Sequence, residues 1–348
     1  MKKSYIIVLL LAVLIGCAKN NIQTKTLNSA FLYEKEMNRF EWYDDELKYE
    51  FIQLQFPSDN KPNKHLFEIG GRLLRDDILS STTNYSCVSC HNPKHNFADS
   101  VRFSQNYKGK PTFVNTPTLT NLQFHNFFGL EAKESSLENF LKSHLMDKAI
   151  FDFNEKTVIE KLNTNKSYLT LLENSGVQKE YDASIISKAL GQYVRSIVSF
   201  KTAVEIELRE KNLIDLPDTA IMRYYSNKYG EKVFNAMKTC YQCHTSLAWG
   251  GDKITNNGLL GFDKNVKVPS IKNVQYSGPY MHDGRFATLY DVVNFYNEQT
   301  TFNTNIDAAL LQGAGQTLKL GLNEQEKKQL VAFLIELTDK DFIKQYAK

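Results

Sequence analysis

Two cysteine pairs, each followed directly by a histidine, constrain this chain more than any other feature. They are Cys87-Val-Ser-Cys90-His91 and Cys240-Tyr-Gln-Cys243-His244. This C-x-x-C-H spacing attaches a c-type haem through two thioether bonds, and the adjacent histidine binds the iron. A zinc ribbon places its two pairs about 15–20 residues apart, whereas about 150 residues separate these pairs. The sequence therefore predicts two covalently bound haem c groups, with His91 and His244 as iron ligands.

The N-terminal segment resembles an export signal that ends in a lipid-attachment site. A basic start precedes an apolar run over residues 5–15, which is too short for a membrane-spanning helix of about 20 residues. Residues 14–17 resemble a bacterial lipobox. We expect residues 1–17 to be a lipoprotein signal peptide with Cys17 acylated; cleavage elsewhere would leave Cys17 incidental. The expected location is the periplasm, lipid-anchored, and Ala18 favours the outer membrane.

Length and periodicity predict an all-α protein of two cytochrome c-like haem domains. Apolar residues recur at helical spacing between residues 186 and 198 and again between residues 330 and 337. The expected haem domains cover residues 61–215 and 216–348, with long irregular loops, haems near the domain interface, and a tether and N-terminal helical segment over residues 18–60. The formal charge of the chain is only +3, which argues against nucleic acid as a partner.

Two segments resemble the bacterial di-haem cytochrome c peroxidase and MauG superfamily. One is Val268-Pro269-Ser270-Ile271-Lys272-Asn273, followed by Tyr280-Met281-His282-Asp283-Gly284; the other is Asn115-Thr116-Pro117-Thr118-Leu119. The resemblance implies an oxidoreductase of the cytochrome-c peroxidase type. A small cytochrome c or cupredoxin would deliver electrons to the C-terminal haem. The electrons would then cross to the N-terminal haem and reduce hydrogen peroxide to water. Family members often dimerise, which implies a homodimer.

The resemblance also implies further metal ligands. In the family a calcium ion lies between the haems, and its ligands match Asn115, Ser277 and Pro279 here; an ordinary turn residue is the alternative for Asn115. The sixth ligand of the second haem matches Tyr296, where the peroxidases have methionine and MauG has tyrosine. Met281 is the alternative sixth ligand, in which case Tyr296 would be a core aromatic residue.

The first haem region departs from the family pattern. The tryptophan that lies between the haems in the peroxidases matches Leu130, and the distal glutamine and glutamate match Phe140 and Ile150. His144 falls between the last two positions and could act as the distal acid–base group or as a sixth ligand, unless it is an ordinary helix-face histidine. Glu155 could supply a carboxylate if the alignment shifts.

Three functions remain open at this point. The first is a peroxidase, which the motif order favours. The second is a MauG-like oxidase that modifies a partner protein, which Tyr296 favours. The third is a non-enzymatic di-haem electron carrier or sensor with a degenerate peroxide pocket, which Phe140 and Ile150 favour. The loop over residues 97–117 contains no histidine to block the iron, so we expect the first haem to be open unless His144 closes it.

Overall fold

The computed structural model describes residues 56–346, apart from residues 152, 213–217, 246–248, 252 and 314. Helices make up most of its regular structure. In chain order they are α1 (Lys64–Arg75), α2 (Leu137–Met146), α3 (Glu155–Thr164), α4 (Lys166–Ser175), α5 (Ala183–Arg195), α6 (Ala203–Glu210), α7 (Asp218–Tyr229), α8 (Glu231–Tyr241), α9 (Leu289–Asn294), α10 (Glu324–Glu336) and α11 (Lys340–Tyr346). The predicted signal peptide, Cys17 and most of the tether lie outside the described residues.

The helices expected from periodicity are present. Helix α5 buries Ile186, Leu190 and Val194 on its periodic face. Helix α10 begins after Asn323, whose side chain and that of Glu326 cap each other's backbone amides. These elements confirm a mostly helical fold.

Strands are few and short, and they correct the expectation of a purely helical chain. Strand β1 (Ile254–Thr255) pairs antiparallel with β2 (Val266–Lys267), and β3 (Leu311–Gly313) pairs antiparallel with β4 (Gln316–Thr317). Segments of two or three residues are too short to show the alternating pattern by which strands are recognised in a sequence. The first ladder lies in the long connection between α8 and α9.

Helices α1 and α5 cross in close contact. A Cβ atom at Gly70 would lie only 2.0 Å from the carbonyl oxygen of Ala189, and one at Gly71 would lie 2.8 Å from the ring of Tyr193. The two glycines therefore allow the backbone of α1 to approach α5. This packing fixes the helix that precedes the first C-x-x-C-H motif.

Two apolar clusters form the core of the compact unit His65–Lys348. The first gathers residues of α1 to α5, and the second gathers residues of α6 to α10. Helix α11 returns to the first cluster through Phe342 and Ile343. The ring centre of Phe342 lies 6.3 Å from that of Phe97, just after the first motif. Within the described ranges, no helix has both the length and the apolar character that a membrane crossing requires.

Candidate functional site

The first motif forms a tight turn that directs the His91 ring inward. Residues Cys87–Ser89 are a 3-10 turn, and the amide of His91 donates to the carbonyl of Cys87 at 2.8 Å. The ring atom Nδ1 of His91 lies 3.1 Å from the carbonyl oxygen of Phe97. A proton on Nδ1 satisfies this carbonyl and leaves Nε2 with a lone pair for a metal.

The second motif has the same local geometry. It begins in the last turn of α8, and the amide of His244 donates to the carbonyl of Cys240 at 2.9 Å. The Nδ1 atom of His244 lies 3.0 Å from the carbonyl oxygen of Pro269. Both histidines are thus held by a backbone carbonyl, as metal-binding histidines commonly are.

The chemical state of these groups fits haem c. Burial lowers the pKa of His91 to about 4 and also lowers that of His244, so both rings are neutral ligands near pH 7. Burial raises the pKa of Cys87 to about 12 and that of Cys240 to about 11. Both groups are therefore neutral thiols in the chain without a bound group. Neutral thiols beside a neutral imidazole suit thioether attachment of a porphyrin.

A nine-residue pattern follows each motif and repeats with an offset of 152 residues. Residues 116–124 read Thr-Pro-Thr-Leu-Thr-Asn-Leu-Gln-Phe, and residues 268–276 read Val-Pro-Ser-Ile-Lys-Asn-Val-Gln-Tyr. In each copy the asparagine has a left-handed backbone and begins a 3-10 turn, with φ of 64° at Asn121 and 56° at Asn273. The proline carbonyl of each copy faces the histidine of its own motif, Pro117 at His91 and Pro269 at His244.

The same offset continues into the next helix of each copy. An isolated antiparallel bridge joins Phe128 to Glu134 in the first copy, and another joins Tyr280 to Phe286 in the second. The side chain of Ser136 caps α2, and that of Thr288 caps α9, which begins 152 residues later. The two haem sites are therefore built from two copies of one structural segment.

The repeated asparagines tie each copy to the end of a long helix. The amide of Asn121 donates to the carbonyl of Ile197 at 2.8 Å, and its Oδ1 accepts from the amide of Ser199 at 2.8 Å. Asn273 makes the same pair of bonds to Leu337 and Asp339, at 2.8 and 2.7 Å. The sequence analysis did not predict these asparagine hydrogen bonds, although the repeated nine-residue pattern could have indicated them.

The ring of His144 lies close to the ring of His91 in the first site. The ring centres of His144 and His91 are 6.4 Å apart with an interplanar angle of 59°. Phe140 stacks on His144 at 5.5 Å, and Phe128 stacks on Phe140 at 6.4 Å. Burial lowers the pKa of His144, so this ring is also neutral.

The other predicted residues of the first site lie at different depths. The carbonyl of Ile150 accepts a hydrogen bond from the Tyr85 hydroxyl at 3.0 Å, and that hydroxyl lies 3.7 Å from Sγ of Cys90. Glu155 is exposed in the first turn of α3. The backbone carbonyl of Leu130 accepts from the amide of Lys267 at 2.9 Å. Ile150 therefore borders the first motif, while the Glu155 carboxylate faces solvent.

The two candidate ligands of the second site converge on one amide. Nδ2 of Asn257 lies 3.4 Å from the Tyr296 hydroxyl and 3.6 Å from Sδ of Met281. Burial raises the pKa of Tyr296. Tyr296 lies in a π-helical turn, Phe295–Gln299, that continues α9, and such turns are frequent at functional sites. Asn257 was not identified from the sequence, because nothing in its neighbourhood marks it.

The predicted calcium residues come from two segments that are joined by a hydrogen bond. The amide of Asn115 donates to the carbonyl of His282 at 2.8 Å. Its Nδ2 donates to the carbonyls of Val101 and Arg102 at 3.1 and 3.2 Å. These bonds orient the side chain and leave Oδ1 as its acceptor. Ser277 ends the 3-10 turn Val274–Tyr276, directly before the Gly278–Pro279 peptide.

Trp249, which follows the second motif, packs between two aromatic rings. Its ring centre lies 5.8 Å from that of Tyr241 and 5.7 Å from that of Phe333. It borders the second apolar cluster.

A buried histidine and a lysine form an unexpected pair near the repeated segments. Nζ of Lys267 lies 2.8 Å from Nδ1 of His125, and Nε2 of His125 is buried with no hydrogen-bond partner among the described residues. Burial lowers the pKa of Lys267 to about 8 and holds that of His125 well below its usual range.

Comparison with known proteins shows what this chain is similar to. Residues 64–212 match the family model described as di-haem cytochrome c peroxidase. The chain is 24% identical over 330 residues to the cytochrome-c peroxidase IdrP2 of Denitromonas iodatirespirans, covering 81% of this chain and 84% of the relative. It is 24% identical over 296 residues to the methylamine utilization protein MauG of Methylorubrum extorquens, covering 80% and 79%.

A solved structure supports the same fold. It is that of a MauG-like protein associated with microbial copper homeostasis, with a TM-score of 0.68 at 23% identity, covering 83% of this chain and 93% of that one. The repeated C-x-x-C-H sites, the match of residues 64–212 to the di-haem cytochrome c peroxidase model and the curated relatives agree: the chain is similar to cytochrome-c peroxidases and to MauG proteins, which are oxidoreductases.

Proposed function

We propose that this protein is a di-haem c-type cytochrome peroxidase that reduces hydrogen peroxide to water at its N-terminal haem. Cys87, Cys90 and His91 would hold the first haem, and Cys240, Cys243 and His244 the second. When bound, the irons supply electron transfer and a site at which the O–O bond of peroxide is reduced. Two electrons and two protons convert one peroxide into two waters.

The single observation that carries this proposal is the neutral imidazole of His144 facing the ring of His91. A neutral imidazole can take a proton from one oxygen of peroxide and return it to the other, which helps the O–O bond to break. In the family a glutamate carboxylate stands at the position of Ile150, which has no acid–base group. His144 would take over the role of that carboxylate. The apolar rings of Phe140 and Phe128 behind it would limit the access of water.

The second site is suited to receive electrons rather than peroxide. The Tyr296 hydroxyl and the Met281 sulfur both face Asn257, so either side chain could occupy a sixth position there. We propose Tyr296 as that ligand, because it lies in the π-helical turn that continues α9 and its hydroxyl is 3.4 Å from Nδ2 of Asn257. The donor would be a small cytochrome c or a cupredoxin.

Calcium is proposed as the third bound group. Oxygen atoms from an asparagine side chain and from backbone carbonyls suit this hard cation. The Oδ1 of Asn115 and the carbonyls of Ser277 and Pro279 would supply them, and the bond between Asn115 and His282 supports the pairing of the two segments.

The proposal also covers the cellular location of the protein. Residues 1–17 would direct export to the periplasm, and an acylated Cys17 would anchor the protein, with the outer membrane favoured. A homodimer is part of the same expectation. Replacing Cys17 by serine should release the protein from the membrane fraction, whereas release of the unaltered protein under the same conditions would remove the anchor from the proposal.

Anaerobic mixing of the fully matured protein with a reduced donor and hydrogen peroxide tests the proposed activity. We expect two electrons to leave the donor for each peroxide consumed. A matched variant with Cys87→Ala and Cys90→Ala should keep the absorbance of the second haem and lose this turnover. If the unaltered protein exchanges electrons with the donor but leaves peroxide intact, it is an electron carrier, and the proposal is wrong.

A second candidate function is favoured by Tyr296. Its buried hydroxyl, held by Asn257, matches the position where MauG has tyrosine. In that case peroxide would be consumed without a donor, and a partner protein would lose electrons from its own side chains. A peroxide-dependent mass change in a co-purified partner would distinguish this activity from donor-driven turnover.

A further inference from the structure

The two repeated segments contact each other through two equivalent backbone hydrogen bonds. The amide of Asn115 donates to the carbonyl of His282 at 2.8 Å, and the amide of Lys267 donates to the carbonyl of Leu130 at 2.9 Å. The offset of 152 residues relates Asn115 to Lys267 and Leu130 to His282. Each segment therefore gives one of these bonds and receives its equivalent, and the two segments meet at two equivalent junctions.

The second junction holds a lysine and a histidine at the positions where the first holds two of the proposed calcium ligands. Lys267 corresponds to Asn115, and His125 corresponds to Ser277, each by the same offset. Nζ of Lys267 lies 2.8 Å from Nδ1 of His125. The ammonium group at the second junction thus corresponds to the cation that we propose for the first.

Lys267 is a partly buried cation without an acidic partner. Two other buried cations of the chain have one, since Lys272 pairs with Glu205 and Arg195 pairs with Glu138. Among the residues that the structure describes, no carboxylate forms an ion pair with Lys267. A buried charge without a counter-charge is costly, so we expect the complete protein to supply a negative group here.

The hydrogen bonds of His125 indicate the same missing group. An ammonium group only donates hydrogen bonds, so Nδ1 of His125 accepts from Lys267 and the ring proton lies on Nε2. That Nε2 atom has no hydrogen-bond partner within the described part of the chain, and His125 is only 6% exposed. The N–H of the histidine and the charge of the lysine therefore both lack a negatively charged acceptor.

The pair lies against the second haem motif. Lys267 is two residues before Pro269, whose carbonyl oxygen lies 3.0 Å from Nδ1 of His244. A Cβ atom at Gly251, seven residues after His244, would lie 2.1 Å from Cδ2 of His125, so only glycine leaves room for this ring. Each haem carries two propionate carboxylates, and the haem of the second motif is a source of such a group beside the pair.

We propose that Lys267 and His125 bind a propionate carboxylate of the second haem. The ammonium group supplies the opposite charge, and the Nε2–H of His125 supplies a hydrogen bond. The inference rests on the part of the proposed function that places a haem at Cys240, Cys243 and His244. It depends neither on peroxide turnover nor on calcium.

This contact has a consequence for the potential of the second haem. The negative charge of a propionate stabilises the more positive ferric iron, and a lysine that neutralises this charge favours the ferrous iron. Lys267 would therefore raise the potential of the haem that is proposed to receive electrons from the donor.

Redox titration and resonance Raman spectroscopy of the protein with both haems test this contact. Lys267→Met removes the charge at a similar side-chain length. We expect a lower midpoint potential of the second haem and a shift of its propionate-bending band. Lys267→Arg keeps the charge and should leave the potential near that of the unaltered protein. The same shifts should appear when Lys267→Met is combined with Cys87→Ala and Cys90→Ala, because that protein lacks the first haem.

Two further variants separate this contact from a general disturbance. Lys264→Met is the matched control, because Lys264 pairs with Glu131 in contact with water. Water and salt screen its charge, so both measurements should remain unchanged. His125→Phe keeps the lysine charge and removes the N–H, so the propionate band should shift with a smaller change in potential. If Lys267→Met does not mature, the band of His125→Phe still decides the question.

The outcomes for this contact and for the peroxidase are independent. A propionate band that is unchanged in Lys267→Met and His125→Phe, or equal shifts in potential for Lys267→Met and Lys264→Met, would overturn the contact even if peroxide is consumed. Shifts confined to the first haem would also overturn it. The expected shifts, together with no donor-driven loss of peroxide, would support the contact and reject the peroxidase.

Discussion

Arg195 and Glu138 form a buried ion pair that joins α5 to α2, the helix that carries His144. Both guanidinium NH2 groups donate to the carboxylate, one of them at 2.9 Å, and the two side chains are only 8% and 10% exposed. A Cβ atom at Gly191 would lie 2.8 Å from Oε1 of Glu138, so only glycine leaves room for the pair. The position of His144 therefore depends on a charged contact two helical turns away.

Removing one member of this pair should be costly. Glu138→Ala leaves the Arg195 charge buried without its partner, and we expect a loss of about 3–5 kcal/mol in the free energy of unfolding. Urea unfolding measures this change in the free energy of unfolding. The exposed pair of Arg72 and Glu68 provides the control, since Glu68→Ala should cost less than about 1 kcal/mol. Equal losses in the two variants would contradict the structural role given to Glu138.

The sixth ligand of the second haem can be identified by two conservative replacements. Tyr296→Phe removes only the hydroxyl and should change the absorption and resonance spectra of that haem. Met281→Leu keeps an apolar side chain of similar size and should leave the spectra unchanged. The reverse result, with an effect of Met281→Leu alone, would make methionine the ligand.

The repeated asparagines should have equivalent roles in stability. Alanine at position 121 or 273 leaves a buried amide without an acceptor, which costs about 1–3 kcal/mol. It also lacks the local side-chain bonding that lets asparagine adopt the left-handed backbone, so part of the penalty of about 1–2 kcal/mol for that region is added. Glycine at either position should cost less, because it adopts that backbone without strain. Thermal unfolding of the four variants measures both effects. A large loss of stability at one position and none at the other would show that the two asparagines do not have equivalent roles.

The buried His125 should make stability depend on pH. Its pKa in the folded protein is well below the value of about 6.5 in an unfolded chain, so protons bind preferentially to the unfolded state. The stability present above pH 6.5 is therefore lost as the pH falls. We expect the His125→Gln variant to lose up to about 2 kcal/mol less than the unaltered protein between pH 7 and pH 5. Parallel pH profiles for the two proteins would show that His125 takes up its proton in the folded state.

Calcium binding can be tested by metal analysis and by chelation. We expect one calcium ion per chain, lost in the Asn115→Leu variant because that side chain has no oxygen. A calcium chelator should change the rate of electron transfer between the haems, and calcium but not magnesium should restore it. Calcium retained at full stoichiometry in Asn115→Leu would exclude Asn115 as a ligand.

The sequence was most informative where chemistry imposes a fixed spacing. The two C-x-x-C-H motifs, the family segments and the capped helix α10 all follow from local patterns, and the structure agrees with them. The short strands could not be foreseen, because pairs such as Ile254–Thr255 and Val266–Lys267 form through contacts between distant residues. Asn257 was missed for the same reason: its role comes from the meeting of Tyr296 and Met281.

The internal repeat, in contrast, is only coarsely visible in the sequence, as a helix, a C-x-x-C-H motif and a loop that occur twice; the backbone shows how far it extends. The two motifs are offset by 153 residues and the segments that follow them by 152. The one-residue difference, together with the two helices α3 and α4 that follow α2, hides the relation. The shared left-handed asparagines and capped helices make it evident.

The duplicated segment keeps the same frame around both sites. Proline, asparagine and helix cap recur in both copies, whereas residue 144 of the first copy is histidine and residue 296, at the equivalent position 152 residues later, is tyrosine. A single nucleotide change converts a histidine codon into a tyrosine codon. One such mutation therefore suffices to exchange imidazole and phenol at this position while the surrounding scaffold is inherited intact.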